Sequence, residues 1–220
     1  MIPDSPLSLA LPKGRLFDQT LEYFAARGLS IPLPERELVV TDNKGMVKVF
    51  IVKNSDLPVY VTHGIAGLGI CGSDVLRESR AVFFELLEFP FGSTRMCLAA
   101  LEEDHNAAGH GAGHKAGHAA GIKRLKVATK FPVFTRDFFN SRGIPVEIIK
   151  LHGSVELAPV LGLAPYIVDL VETGSTLKAN GLKIIEELEN TKVKLIANPA
   201  YYKIHYQKVN AFVNFLKGQA

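Results

Sequence analysis

The sequence predicts an α/β protein, and three observations carry that prediction. Short apolar runs such as LSLAL, LGICG and IVDLV alternate with segments whose apolar residues recur at helical spacing. The junctions from run to helix are rich in Gly, hydroxyl and charged residues, as in LPKGR, GICGSD, LHGSVE and VETGST. The chain has 220 residues, 47% of them hydrophobic and 21% charged. That suffices for one large or two small packed domains.

Taken in order, LSLAL (7–11) reads as a strand. GRLFDQTLEYFAARG reads as a helix, with Phe17, Leu21 and Phe24 on one face and Gly28 as its stop. ELVVT and MVKVFIV are strands, and SDLPVYVTHG holds a short helix capped by Ser55 or Asp56. Strand LGICG runs into helix SDVLRES, with Ser73 or Asp74 at its start. AVFFELLEF and TRMCLAAL are strands. There follow strand RLKVATK, helix TRDFFNSRG, strand VEIIKL, helix SVELAPVLG, strand IVDLV and a helix from about Thr176. KVKLIAN is a strand. A last helix from Pro199 places Tyr202, Tyr206, Val209, Val213 and Leu216 on one stripe. This alternation predicts largely parallel sheets, with ligands held where strands run into helices.

The totals exclude several classes. A net charge of +3, scattered along the chain, does not make a nucleic-acid-binding surface. No apolar stretch reaches eighteen residues, so no membrane span is expected. The N-terminus MIPDSPLSLALPKGR lacks a basic segment and a long apolar run, unlike a signal peptide. Cys71 and Cys97 lie in apolar runs and read as buried thiols. Together these features fit a cytoplasmic protein. Residues 102–121 are rich in Gly, Ala and His. His105, His110, His114 and His118 have spacings that suit a metal. The interleaved glycines weaken any helix, so a solvated insertion is the better reading.

DLVETGSTLKANGL (169–182) raises a chemical conflict, because acids stand beside an anion-attracting turn. Gly174 admits a close approach to the backbone, and Thr173, Ser175 and Thr176 offer hydroxyls beside the first amides of a helix. A helix dipole contributes only about 0.3–1 kcal/mol. A charge-assisted hydrogen bond contributes roughly 1.5–3 kcal/mol, so direct donors dominate. The bland alternative is that Thr173 or Ser175 merely caps the helix. The acids favour a ligand with both phosphate and hydroxyls, or one that brings magnesium. A phosphoribosyl group has that composition, its phosphate in the turn and its hydroxyls on Asp169 or Glu172.

The stretch ELAPVLGLAPYIVDLVETGSTL (156–177) resembles the signature of the ATP phosphoribosyltransferase family, through Glu156, Gly162, Ala164, Ile167, Asp169 and Thr173–Leu177. LALPKGRLFD, GLGICGSDVLRE, VATKFP and KLHGSVELAP agree with it, so the resemblance covers nearly the whole chain outside the His-rich segment. The resemblance implies transfer of phosphoribose from 5-phosphoribosyl-1-pyrophosphate (PRPP) to N1 of ATP, with Mg2+, in the first step of histidine biosynthesis. It implies a two-lobed fold like the type II periplasmic binding proteins, with the active site in the inter-lobe cleft. Lobe I would comprise 1–95 plus 186–220, and lobe II 96–185.

By the same resemblance Thr173, Gly174, Ser175 and Thr176 cradle the 5′-phosphate. Lys13 and Arg15 meet pyrophosphate or ATP phosphates, and Lys53 meets pyrophosphate where relatives carry Arg. Asp74 and Glu156 are expected in substrate binding, and each also has a reading as a helix-start acid. Gly67 stands where relatives commonly carry an acid. The chain's extent resembles the short form, which needs a regulatory subunit similar to histidyl-tRNA synthetase in a hetero-octamer. Two rival readings are a solute-binding module and a phosphoribosyltransferase for free bases. The first gives no reason for the phosphoribose turn; the second usually pairs adjacent acids, whereas Asp169 and Glu172 stand apart.

Overall fold

A computed structural model of the chain describes residues 5–32, 37–102 and 124–219. The His-rich segment and its four spaced histidines fall outside the described residues. The described chain divides into two compact units, Met1–Ser93 with Lys192–Ala220, and Thr94–Thr191.

Unit 1 contains β1 (Leu7–Pro12), α1 (Arg15–Ala25), β2 (Val39–Thr41), β3 (Val47–Val52), α2 (Leu57–Thr62), β4 (Leu68–Gly72), α3 (Ser73–Ser79) and β5 (Phe84–Glu88). Its strands form a six-stranded sheet in the order β2-β3-β1-β4-β11-β5, where β11 is Val193–Ala197. One face buries Leu9, Leu11, Val49 and Ile70 against Phe17 and Phe24 of α1. The other buries Ala10, Cys71 and Ile196 against Leu57, Val61 and Val75. Each large apolar side chain so buried is worth about 1.5–3 kcal/mol. Gly69 in β4 is required by packing, since a Cβ there would lie 2.8 Å from Leu57 Cδ2 and 2.9 Å from Val61 Cγ2.

Unit 2 contains β6 (Thr94–Leu101), β7 (Leu125–Thr129), α4 (Pro132–Ser141), β8 (Val146–Lys150), α5 (Leu157–Val160), β9 (Tyr166–Val171), α6 (Ser175–Ala179) and β10 (Leu182–Thr191). The sheet order is β10-β6-β9-β7-β8. Val127, Val168, Met96 and Leu98 pack against Phe134 and Phe139 of α4. The opposite face buries Cys97, Ala99, Ala128, Ile167 and Val171 with Ala158 of α5 and Leu177 of α6.

Four expectations need correction. The sheets are mixed rather than largely parallel. β1–β3, β1–β4, β7–β8 and β7–β9 are parallel, whereas β2–β3, β4–β11, β5–β11, β6–β9 and β6–β10 are antiparallel. The helix expected from Thr176 is only the five residues of α6, and the ten-residue strand β10 follows it. Register shifts between Ile184 and Glu186 and between Glu187 and Glu189 break β10's alternation and leave Ile184, Ile185 and Leu188 in a helix-like spacing. Because β10 is one continuous strand of unit 2, the second boundary falls at Thr191–Lys192 and not at 186. Finally, the terminal stripe is divided into α7 (Pro199–Ile204) and α8 (Tyr206–Lys217) at His205, which leaves Tyr206 58% exposed while Val209 and Leu216 are buried. Asn198 caps α7 by accepting from the Ala200 and Tyr201 amides.

Both cysteines are free and buried, as their apolar surroundings foretold. Among the described residues no helix is long and apolar enough to cross a membrane.

Candidate active site

The phosphate-type turn joins β9 to α6. Strand residues Ile167, Asp169 and Val171 alternate toward the face that carries α5 and α6. Beyond Val171 the chain turns through exposed Glu172 and Thr173 to Gly174, whose φ of 79° lies in the left-handed region. Only glycine adopts that conformation without strain. Gly174 is the N-cap of α6, so no side chain caps this helix from that position. Thr173 Oγ1 lies 3.1 Å from Ser175 Oγ and accepts a long bond, 3.4 Å, from the Ser175 amide. The exposed hydroxyls of Thr173, Ser175 and Thr176 are thereby gathered around one bend. A five-residue helix brings little dipole, which leaves the amides and hydroxyls as the groups available to an anion.

Asp169 sits two residues before the end of β9, half-buried, with Oδ1 accepting from the Leu170 amide at 2.9 Å. Burial pushes its pKa above the ordinary carboxylate value; the Lys130 ammonium and the Leu170 amide pull it down, and the Glu156 carboxylate raises it further. Glu156, the residue before α5, is thus an electrostatic neighbour of Asp169. Glu172 projects from the exposed turn. Unit 2 therefore assembles Glu156, Asp169 and residues 172–176 around the C-terminal ends of the parallel strands β7, β8 and β9.

A different set stands at the corresponding edge of unit 1. Pro12 pairs with Val52 in the parallel β1–β3 ladder, so Lys13 and Lys53 emerge side by side. The Lys13 amide donates to Val52 O at 3.0 Å, fixing the backbone there. Gly14 bends the chain at φ 89° and Arg15 opens α1; the side chains of Lys13 and Arg15 are exposed. Asp74 is 7% exposed in the first turn of α3. Burial raises its pKa, while its own amide and that of Val75 lower it and Glu78 raises it. Its carboxyl lies back over Gly72, where any Cβ would collide with Asp74 Oδ1.

Gly67 has a local explanation. A Cβ there would overlap the Tyr201 ring, whose hydroxyl accepts from the Ser8 amide at 3.1 Å. The Ser8 hydroxyl in turn accepts from the Gly67 amide at 2.7 Å. An acidic side chain has no room where the ring sits.

Neither cysteine suits nucleophilic work. Burial pushes both thiols up; Asp74 and Glu85 add to this at Cys71, whereas at Cys97 Arg95 opposes it and Glu187 adds to it. Lys130 of the VATKFP motif follows the end of a strand, as Lys13 and Lys53 do.

Comparison with known proteins bears directly on this arrangement. Residues 53–218 match the family model described as HisG: ATP phosphoribosyltransferase. An ATP phosphoribosyltransferase of Thermoanaerobacter sp. (strain X514) is 42% identical over 214 residues, covering 96% of this chain and 94% of the relative. One of Clostridioides difficile (strain 630) is 37% identical over 213 residues, covering 96% and 97%. Among solved structures, the ATP phosphoribosyl transferase (HisG:HisZ) complex from Thermotoga maritima matches with a TM-score of 0.77 and 33% identity, over 97% of this chain and 98% of that one. The periplasmic aliphatic sulphonate binding protein SsuA of Escherichia coli shares the fold at a TM-score of 0.56 and 12% identity, over 98% and 72% of the two chains. The architecture is thus that of the type II periplasmic binding proteins, and with the sequence match extending through the turn at Gly174, this chain belongs to the ATP phosphoribosyltransferase family.

Proposed function

We propose that the chain catalyses the first step of histidine biosynthesis, transfer of the phosphoribosyl group of PRPP to N1 of ATP, giving phosphoribosyl-ATP and pyrophosphate. The observation that carries this reading is the β9–α6 turn. It gathers hydroxyl and amide donors around a left-handed Gly174, beside a half-buried carboxylate, in a chain of this family. The turn suits a phosphate monoester and the carboxylate suits a diol.

In the reaction a bond forms between adenine N1 and ribose C1 as the C1–O bond to the diphosphate breaks. The oxocarbenium-like state needs alignment and charge balance more than covalent help. We assign the 5′-phosphate to Thr173, Gly174, Ser175 and Thr176. The ribose hydroxyls go to Asp169 rather than Glu172, because Asp169 is anchored in a strand by the Leu170 amide while Glu172 is exposed. Lys13, Arg15 and Lys53 are assigned to the anionic oxygens of the leaving diphosphate or of ATP. Asp74 belongs to the same substrate-binding set, and its carboxyl also shapes the turn at residues 72–75.

Magnesium fits this set. An ion held chiefly through substrate phosphates and water needs at most one or two carboxylates, which the half-buried Asp169 and Glu156 would supply. Bound there, Mg2+ would neutralise charge on the diphosphate. A regulatory partner subunit is also proposed, supported by the likeness to the HisG:HisZ complex. We infer a cytoplasmic setting, where ATP and PRPP are made.

Incubation of the purified chain with ATP, PRPP and Mg2+, with and without a HisZ-type partner, tests the reading. Pyrophosphate release with formation of phosphoribosyl-ATP is expected in at least the second mixture. Folded protein that gives neither product in either mixture rejects it.

A further inference from the structure

Lys130 is the cation of unit 2 that stands beside the acids of the turn. In the parallel β7–β9 ladder Thr129 pairs with Val168. The next residues along are therefore neighbours, Lys130 just past the end of β7 and Asp169 within β9. Pleat alternation gives Asp169 the face of Ile167 and Val171, which Ala128 of β7 shares, and Lys130 stands at the bend that follows β7.

The backbone around Lys130 is held on both sides. Thr129 is fully buried, and its Oγ1 donates to Val168 O at 2.6 Å and accepts from the Phe131 amide at 2.9 Å. Thr129 O accepts from the Leu151 amide at 3.0 Å. The exposed lysine side chain thus rises from a clamped position. Its charge is felt by Asp169, yet among the described residues no ion pair within 4 Å joins it to Asp169 or Glu156. Of other cations in this unit, Arg95 pairs with Glu187, Lys178 lies in the last turn of α6, and Lys150 ends β8 opposite Thr129.

We propose that Lys130 binds the C1 diphosphate of the phosphoribosyl donor. The inference rests on the phosphoribose reading of the turn. In that donor the 2′,3′-diol lies between two anionic ends, the 5′-phosphate beyond C4 and the diphosphate on C1. With the 5′-phosphate in the turn that follows β9 and the diol on Asp169, the C1 end is directed away from the turn. A cation flanking Asp169 from the neighbouring strand β7 then meets the diphosphate.

Calorimetric titration of the full chain in Mg2+ with PRPP, pyrophosphate and ribose 5-phosphate tests the proposal. Lys130→Met is expected to weaken PRPP and pyrophosphate binding by about tenfold or more, with ribose 5-phosphate changed by less than about twofold. Lys130→Gln should repeat that pattern, and Lys130→Arg should retain most of the affinity. Unchanged pyrophosphate binding in Lys130→Met and Lys130→Gln overturns the proposal, as does an equal loss for all three ligands. Gly174→Val, measured in parallel, separates the underlying reading. Full ribose 5-phosphate affinity in that variant removes the turn assignment, whereas its loss beside wild-type behaviour of Lys130→Met removes only the role of Lys130.

Discussion

The two strand-end edges of this protein present different groups to an incoming ligand. The unit 1 edge presents long cationic side chains, Lys13, Arg15 and Lys53, on turns whose backbone is fixed by the paired ends of β1 and β3. The unit 2 edge presents short donors, the hydroxyls and amides of residues 173–176, next to half-buried carboxylates. Long cations follow charge wherever it lies and tolerate variation in position. Fixed short donors demand one shape, and carboxylates among them demand hydroxyls or a metal. The contrast fits the proposal that the short donors and carboxylates of the unit 2 turn take the phosphorylated sugar.

The largest expected effect tests the sugar side. Asp169→Asn should lower kcat/KM for PRPP by roughly a hundredfold, the scale of a lost charge-assisted hydrogen bond. Steady-state kinetics at fixed ATP measures it, and a loss no greater than that of Glu172→Gln would transfer the diol to Glu172. Because burial raises the Asp169 pKa, the acid limb of PRPP affinity should lie above the usual carboxylate range. That limb should vanish in Asp169→Asn.

Next in size is the charge side. Lys53→Ala should cost about tenfold in kcat/KM, and Lys53→Arg should preserve or improve activity, because a guanidinium adds a bidentate fork. If Lys53→Ala is silent, the unit 1 edge does not meet the leaving group.

A third prediction concerns shape. Gly67→Ala must displace the Tyr201 ring and should cost about 1–3 kcal/mol of stability, measured by denaturant unfolding. Wild-type stability would mean that Tyr201 moves aside without loss.

The smallest effect is at Asp74. Its folded pKa is raised, so between the unfolded and folded values the native state holds the proton more tightly. Stability contributed by the protonated acid is present below the unfolded pKa and is lost as pH rises through the folded pKa. Wild-type stability relative to Asp74→Asn should therefore decline from acid pH through that window and level off above it. A parallel pH dependence in the two proteins would remove Asp74 from the titrating groups.

Much of this was legible in the chain. LSLAL, LGICG, TRMCLAAL and IVDLV are central strands buried on both faces, and their apolar runs announce it. The turn at Gly174 was legible because its chemistry is local: donors, glycine and acids stand within a few residues. β10 was hidden because two register shifts erase the alternation that marks a strand. The break at His205 was hidden because the apolar stripe continues across it. Lys130 gained a role only through its place in the β7–β9 ladder, a relation between residues 39 apart, as the Thr129–Val168 bond shows.

The sequence by itself determined the α/β class, the glycine turn after β9 and the family, since each is written in neighbouring residues or in periodicity. Tertiary structure alone decided that Glu156 and Lys130 share the field of Asp169, that Tyr201 forbids a side chain at Gly67, and where β10 pairs. Those facts depend on which strands become neighbours. Strand pairing is settled by burial on both faces of a sheet at once, which no local pattern records.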